Sequence, residues 1–451
     1  MGRLFGTDGV RGIANETLTC ELALQIGRAA ATVLSDADRR RPRIVVGTDT
    51  RISSKMLSAA VTAGLCSVGA DVIDLGVIPT PAVAFLVGKY KAEAGVMISA
   101  SHNPFAYNGL KIFSGDGYKL PDALEEEIER IVLDSVQLPE LAAGAQIGNA
   151  VYRDTAPKDY IEHLKSTVPY SLEGLRIAVD CANGSASRTA KRLFHELGAE
   201  CHLLFDHPDG KNINRECGST HPEALQEYMR THDLDAGIAF DGDADRCYCV
   251  DEKGALVDGD VIMAICALDM MQRGKLAKNT LVGTVMSNFG FQKFCEENGI
   301  GFVSTKVGDR FVLEQMLLEE LSFGGEQSGH IIFRDFATTG DGQLTAIQLL
   351  CQMRRTGAKL SDLRTCMTHY PQTLINLEVS PAGKLAFYTD PVIKEAMDRI
   401  RNNLGDKGRL VVRASGTEPL MRVMSEHADP TTADRAAQEM AEVIAQRLND
   451  K

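Results

Sequence analysis

One supersecondary pattern occurs three times in this chain and narrows the folds open to it. Ile44-Val-Val-Gly-Thr48 reads as a strand, Lys55 to Val68 as a helix, Gly69 as its C-terminal stop and Val72 to Leu75 as a second strand. The same succession returns as Arg176 to Asp180, Ser187 to Leu197, Gly198 and His202 to Leu204. It returns again as Leu281 to Val285, Phe289 to Asn298, Gly299 and Phe302 to Ser304. Strand, helix, glycine stop and strand is the signature of a βαβ unit, which calls for mainly parallel sheets covered by helices. The stop glycines lie 129 and 101 residues apart. That is far beyond the roughly 20–50-residue period of a solenoid, so the copies are tandem domains.

Composition shifts mark the seams. A Pro/Ala/Gly-rich stretch, Gln137 to Gly148, follows the acidic helix predicted over Asp122 to Asp134. A turn around Asp251 to Gly254 and the chain near Gln372, after Pro371, are the other two. Beyond Gln372 the pattern changes to helix Pro391 to Asn403, strands Leu410 to Arg413 and Met421 to Ser425, and helix Thr432 to Leu448. The expected domains are therefore 1–150, 151–253, 254–371 and 372–451. The fold class is α/β: three tandem domains with mixed or parallel sheets, and a smaller C-terminal α+β domain, around a central cleft.

Each domain carries one chemically dense loop. In the first, the apolar run Gly95 to Ile98 enters Ser99-Ala-Ser-His-Asn-Pro104, and a second run, Leu110 to Phe113, brings back Lys111. Asn-Pro and Asn-Gly fix the two bends, leaving the Ser101 hydroxyl at a strand end with an imidazole beside it and an ammonium returning toward it. A serine that carries or transfers an anionic group needs such company. In the second domain, Asp241, Asp243 and Asp245 follow the strand-like Ala236 to Phe240. Three crowded carboxylates repel unless a divalent cation sits among them, and an all-oxygen set suits Mg²⁺ or Ca²⁺. A solvated acidic turn is the plainer reading. An EF-hand would place Glu252 at its twelfth position, but Arg246 stands where that loop turns on glycine. Arg246 directly after the aspartates is better explained by an anionic ligand beside the metal.

In the third domain, Gly324-Gly-Glu-Gln-Ser-Gly-His330 offers Glu326, Gln327, Ser328 and His330 from one tight loop, suited to a polyhydroxyl ligand. An ordinary turn with a strand-edge histidine remains open there. In the fourth, Arg413-Ala-Ser-Gly-Thr-Glu-Pro419 puts Arg413, Ser415 and Thr417 around the backbone N–H of Gly416, a plausible phosphate cradle. A hydrophilic hairpin turn fits those residues as well. Thr7-Asp-Gly-Val-Arg-Gly12 and Lys306-Val-Gly-Asp-Arg310 are two further basic sites, and surface charge is the usual meaning of such residues.

Charge sharpens these readings. The net charge of −13 over 451 residues argues against nucleic-acid or anionic-membrane partners, so any phosphate site must be locally basic against an acidic background. No apolar run approaches the ~20 residues of a membrane span. Met1-Gly-Arg-Leu-Phe-Gly-Thr-Asp8 lacks the apolar core of a signal peptide and, with Gly6 at position six, the myristoylation pattern. Eleven scattered cysteines without a Cys-x-x-Cys pair read as reduced thiols, and the location expected is cytoplasmic. Cys247 and Cys249 read as strand packing. The chain contains no Walker phosphate loop, and Ser101 is not in Gly-x-Ser-x-Gly, so neither a P-loop enzyme nor an α/β-hydrolase is indicated.

Four loops, each on a different domain and three beginning where a strand ends, would meet at a cleft, since open α/β sheets bind ligands beyond their strand carboxyl ends. Taken together, the segments 99–104, 241–246, 325–330 and 413–419 resemble the α-D-phosphohexomutase superfamily over essentially the whole chain. Leu4-Phe-Gly-Thr-Asp-Gly-Val-Arg-Gly12, Asn212-Ile-Asn214 through Cys217-Gly-Ser-Thr-His221, and Gln327 are similar to the branch that acts on glucosamine phosphates.

The resemblance implies a phosphoserine at Ser101 and one Mg²⁺ held by Asp241, Asp243, Asp245 and a phosphoserine oxygen. It implies that glucosamine 6-phosphate and glucosamine 1-phosphate interconvert through a bisphosphate, feeding UDP-N-acetylglucosamine and cell-wall precursor synthesis. His330 and Lys111 are then the candidates for proton transfer, with Arg246 balancing charge and Arg11 and His102 as supports. Lys306, Asp309, Arg310 and Arg422 join Glu326, Gln327, Ser328, Arg413, Ser415, Gly416 and Thr417 as substrate contacts. The resemblance also implies a first phosphorylation of Ser101 by an activating kinase or by the chain itself, and it allows a homodimer. The same reaction on glucose or mannose phosphates, and a non-catalytic sugar-phosphate binding protein, are the alternatives.

Overall fold

The computed structural model describes residues 2–6, 8–34, 41–136, 139–415 and 419–448. It contains four sheets, one for each domain of a four-domain α/β architecture. The first has six strands in the order Val10–Ile13, Tyr107–Ser114, Ala94–Ile98, Arg43–Thr48, Asp71–Val77, Ala150–Tyr152. Arg43–Thr48 runs parallel to both Asp71–Val77 and Ala94–Ile98, as the βαβ pattern requires. Ala94–Ile98 is buried at every position, as expected of a parallel strand covered on both faces. The stop glycines Gly69 and Gly198 both have φ of +91°, a conformation that a side chain would strain.

Each of the first three sheets departs from pure parallel order at its chemically dense loop. Ala94–Ile98 leads into the Ser101 turn, and the chain returns antiparallel as Tyr107–Ser114, which sets Lys111 opposite Met97. In the second sheet, ordered Leu256–Val257, Cys247–Asp251, Ala236–Phe240, Arg176–Asp180, Glu200–Leu204, the strand Ala236–Phe240 is parallel to Arg176–Asp180. It then turns through the aspartate loop into antiparallel Cys247–Asp251. The third sheet runs Gly301–Thr305, Thr280–Thr284, Phe323–Gly325, Ile331–Phe333, and its last two strands form the same kind of hairpin around Glu326 to His330. A connection this short can join only antiparallel strands. The three loops are therefore hairpin tips at strand carboxyl ends.

The fourth sheet is wholly antiparallel, in the order Gln372–Glu378, Leu420–His427, Gly408–Ala414. Helices Pro391–Leu404 and Pro430–Leu448 close its core through Ile393, Ile400, Met440 and Ile444, packed on Met421 and Val423. The sequence pattern misses strand Gln372–Glu378 and helix Pro381–Phe387. It also merges two elements in the second domain. The helix predicted over Ser187 to Leu197 is a 3₁₀ turn, Ser185–Arg188, followed by the short helix Ala190–Glu196, because Thr189 between them has φ of −123°.

By packing, the chain forms two compact units, residues 1–284 with 303–366, and residues 285–302 with 367–451. Helix Phe289–Asn298 thus belongs to the second unit, although the repeat groups it with the third domain. Its N-cap shows why: Asn288 Nδ2 donates to Tyr370 O and to Glu426 Oε1, both at 3.0 Å. Among the described residues no helix is long and apolar enough to cross a membrane. Cys247 and Cys249 are buried on one face of their strand with sulfurs 3.8 Å apart.

Candidate active site

Ser101 stands in a left-handed backbone conformation, φ 51°, which a residue bearing a Cβ adopts only when its surroundings hold it there. The hold begins at the carboxyl end of strand Arg43–Thr48. Asp49 and Arg51 form a buried ion pair at 2.8 Å. The Arg51 guanidinium donates to the carbonyls of Ser101 (2.8 Å), Asn103 (2.8 Å), Pro104 (2.5 Å) and Tyr107 (3.1 Å). Asp49 accepts from Ser99 Oγ at 2.7 Å, and Ser99 Oγ in turn accepts the Ser101 N–H at 2.9 Å. Asn214 Nδ2 adds bonds to Ser101 O (2.9 Å) and Asn103 O (3.2 Å). The turn is therefore shaped by side chains reaching its backbone.

The aspartate loop lies directly behind it. A Cβ on Gly242 would come within 2.6 Å of Ser101 O and 2.8 Å of Asn214 Nδ2, so only glycine lets the two loops touch. Ser101 Oγ donates to Asp241 Oδ2 at 2.6 Å. Thr80 fixes Asp243, donating its N–H to the carbonyl (2.9 Å) and its hydroxyl to Oδ2 (2.6 Å). Ligand atoms of Asp241, Asp243 and Asp245 lie within 4.8 Å of one another, and all three residues are buried. Burial, then the Asp245 and Asp243 carboxylates, push the Asp241 carboxyl well above its usual range. Burial opposes ionisation of Asp245 too, but Lys111 and His330 outweigh it and hold that carboxyl well below the usual range.

A divalent cation fits this site. Asp243 Oδ1 and Asp245 Oδ1 are buried acceptors with no hydrogen-bond partner, and hard oxygen donors suit Mg²⁺. The EF-hand alternative fails. The loop is flanked by strands, and Glu252 instead accepts from Ser361 Oγ at 2.5 Å and Ser361 N at 3.1 Å.

Lys111 is buried, and its Nζ lies 2.8 Å from Asp243, 3.0 Å from Asp8 and 3.2 Å from Asp245. Burial disfavours its charge, yet Asp243, Asp8 and Asp245 together raise its pKa well above that of a free lysine, so it stays an ammonium. Arg246 Nε sits 3.8 Å from Asp245 Oδ1 and has no hydrogen-bond partner, leaving a buried donor available to an incoming anion. Arg11 donates to Asn103 Oδ1 at 3.4 Å and pairs with Asp8, reaching the Ser101 turn from strand Val10–Ile13. His102 Nδ1 is 3.5 Å from Ser101 Oγ. Burial, then Arg246 and Arg11, depress its pKa to about 4, so at neutral pH the ring is uncharged.

His330 is 3 % exposed. Its Nδ1 faces Asp245 at 3.7 Å and its Nε2 faces Asp309 at 3.4 Å, while the Gly340 N–H donates to Nε2 at 3.0 Å. Burial and the Gly340 donor both favour a neutral ring. Asp309 and Asp245 act upward and prevail, so the pKa lies above the ordinary value. Glu326 Oε1 accepts the Gly308 N–H at 2.9 Å, and Gln327 Nε2 lies 3.4 Å from Asp258 Oδ2. Ser328 is half-buried beside them.

The other residues assigned from sequence lie on the segments 306–310 and 413–422. Lys306 is exposed, with Nζ 5.9 Å above the Phe311 ring. Arg310 pairs with Glu314 (2.9 Å), Glu125 (3.7 Å) and Asp122. The Asp309 carboxylate is taken by Lys119 as well as by His330. In the second unit, Arg413 and Arg422 are cross-strand neighbours, and burial and Arg422 lower the Arg413 pKa. Ser415 is buried, with its carbonyl accepting from Lys384 Nζ at 2.8 Å. Gly416 and Thr417 lie outside the described residues.

Sequence reasoning passes over Asp49, Arg51, Thr80 and Lys119, and gives Asn214 no contact with the Ser101 turn. Asp49 and Arg51 carried one usable signal, a pair of opposite charges directly after a buried strand. Asn214 carried none.

Known proteins resemble this chain along its whole length. Models of the phosphoglucomutase/phosphomannomutase α/β/α domains I, II and III match residues 2–138, 158–254 and 258–370, and that of the C-terminal domain matches 374–443. The phosphoglucosamine mutase of Caldanaerobacter subterraneus is 54% identical over 449 residues, 100% of each chain. That of Acetivibrio thermocellus is 51% identical over 448 residues, 99% of this chain and 100% of the relative. The crystal structure of a phosphoglucomutase/phosphomannomutase family protein from Burkholderia thailandensis superposes with TM-score 0.84 at 25% identity, over 98% of this chain and 97% of its own. At 17% identity, Aspergillus fumigatus N-acetylphosphoglucosamine mutase, solved with GlcNAc-6P and magnesium, shares the fold with TM-score 0.70, over 98% of this chain and 96% of its own. With four domain models in order and half its residues shared along the full length, the chain belongs to the phosphoglucosamine mutases of the phosphoglucomutase/phosphomannomutase family.

Proposed function

We propose that this chain interconverts glucosamine 6-phosphate and glucosamine 1-phosphate, with Ser101 as the phosphoryl carrier and glucosamine 1,6-bisphosphate as the intermediate. The observation that carries the reading is Ser101 Oγ, held 2.6 Å from Asp241 Oδ2 beside Asp243, Asp245, Lys111 and His330. Phosphoryl transfer asks a protein for position and charge neutralisation more than covalent chemistry. The strained turn supplies position. Lys111 and Arg246 supply positive charge in a buried site, where it counts for more. Asp241, Asp243 and Asp245 would hold Mg²⁺, which when bound neutralises charge on the phosphoryl oxygens.

In the first half-reaction the bond between phosphorus and Ser101 Oγ breaks, and one forms to the free sugar hydroxyl. The hydroxyl's proton leaves to a base, and Ser101 Oγ recovers one from an acid. We assign these transfers to His330, poised between two carboxylates, and Lys111, held as an ammonium. After the bisphosphate turns over, the second half-reaction reverses the roles and returns the other phosphate to Ser101. Glu326, Gln327 and Ser328 suit the sugar hydroxyls. Arg413 and Arg422, cross-strand neighbours of like charge, suit the non-reacting phosphate. Eleven free thiols fit a reducing compartment, and we infer the cytoplasm.

Ser101→Ala decides the carrier in a coupled assay. Loss of interconversion is expected, and turnover at the wild-type rate would sink the reading. Comparing kcat/KM on glucosamine, glucose and mannose phosphates decides the sugar. Glucosamine phosphate should win, and preference for glucose phosphate would reassign the substrate while keeping the chemistry.

A further inference from the structure

Three charged side chains beyond the reacting groups link them into a closed ring. From Lys111, Nζ reaches Asp8 Oδ2 at 3.0 Å. Asp8 Oδ1 accepts from Lys119 Nζ at 2.5 Å, and Lys119 donates in turn to Asp309. Asp309 Oδ2 lies 3.4 Å from His330 Nε2, His330 Nδ1 lies 3.7 Å from Asp245, and Asp245 returns to Lys111 at 3.2 Å. Acidic and basic groups alternate around the whole circuit. Lys111, His330 and Asp245 already have assigned work. Asp8 and Lys119 do not, and Asp309 is assigned only a substrate contact from sequence, yet the three side chains are only 14–20 % exposed.

We propose that Asp8, Lys119 and Asp309 are positioning residues, an arc that fixes the Lys111 ammonium and the His330 ring relative to each other, with Lys119 as its central member. The assignment rests on the proposed roles of Lys111 and His330. It also moves Asp309 from sugar contact to support. Lys119 stands between two mostly buried carboxylates, each of which also holds one of the proton-handling groups. Without its charge the Asp8 and Asp309 carboxylates repel, and each is left to its one remaining cationic neighbour, pulling Lys111 and His330 out of register. Three separate segments build the arc. Asp8 lies on the N-terminal strap, which Glu129 ties down by accepting the N–H groups of Arg3, Leu4 and Phe5. Lys119 follows strand Tyr107–Ser114 and bridges back to Phe113. Asp309 opens helix Asp309–Leu318.

Steady-state kinetics and melting of full-length, magnesium-loaded protein test this with Lys119→Met and Lys119→Arg. Displacement of reacting groups by about 1 Å costs on the order of 100-fold in rate. We therefore expect Lys119→Met to lower kcat about 10–100-fold with KM within about threefold, and Lys119→Arg to recover most of the loss. A raised KM at unchanged kcat would make Lys119 a substrate contact and overturn the proposal. A lowered Tm with unchanged kcat per folded molecule would make it a plain staple and overturn it equally. Should Lys119→Met not fold, Asp8→Asn is read by the same split.

The wild-type assay keeps the two questions apart, because only ratios to wild type, on whichever hexose phosphate it converts, bear on the arc. An activity-free readout is the ¹⁵N shift of the His330 ring, identified by its loss in His330→Gln. It should move in Lys119→Met and return in Lys119→Arg, and an unmoved signal would refute the arc.

Discussion

The Arg51 side chain places every bond it makes on the turn that carries Ser101 or on Asp49. Its guanidinium serves four carbonyls and one carboxylate, a use of the planar five-donor fork that lysine cannot imitate. Arg51→Met strands a buried carboxylate and unties the turn at once. We expect about 3–5 kcal/mol of lost stability, together with loss of turnover, measured by chemical unfolding and by the mutase assay. A loss below about 1 kcal/mol would show that Asp49 finds another partner. The sequence displays Ser101 and the three aspartates plainly, because reactive groups must be particular residue types at particular spacings. It conceals Arg51 and Asn214 because their partners are backbone carbonyls, which leave no mark on the residue types around them.

At the level of elements, the site is three hairpin tips and a strap. Periodicity reveals the strands before each tip, since their apolar runs are continuous. It does not reveal that the returning strand is antiparallel, because a buried strand reads alike in either direction. The strap is held by Glu129, 3 % exposed, which accepts three backbone N–H bonds at 2.6–3.0 Å. Burial works against its ionisation, but those donors prevail and lower its pKa. Such a group contributes stability that is present above its unfolded pKa of about 4.3 and is lost as pH falls through the folded value. Glu129→Gln should cost about 2 kcal/mol. The gap from wild type should be constant from pH 8 to pH 5 and narrow below about pH 4.3. A gap that widens on acidification would contradict the depressed pKa. Urea titrations at several pH values measure it.

For the whole molecule, the spacing of the repeat already indicates separate domains, and motif order indicates that their loops act together. Packing adds what spacing cannot show: serine, aspartates and histidine, drawn from three domains, lie within one compact unit. A cation held by the aspartates of one domain and by Ser101 of another would tie those two together, so its binding energy becomes stability. Chelator-treated protein should melt higher when Mg²⁺ is restored, by about 2.7 kcal/mol at a hundredfold excess over Kd. Asp243→Asn should remove that shift in scanning calorimetry, and an undiminished shift would place the cation elsewhere.

The Arg51 clamp has one more consequence. It grips carbonyls, which every amino acid possesses, while the side chains of Phe105 and Ala106 point outward into solvent. The turn's path is thereby fixed without its wording being fixed. Substitutions at Phe105 and Ala106 should therefore leave Ser101 where it is.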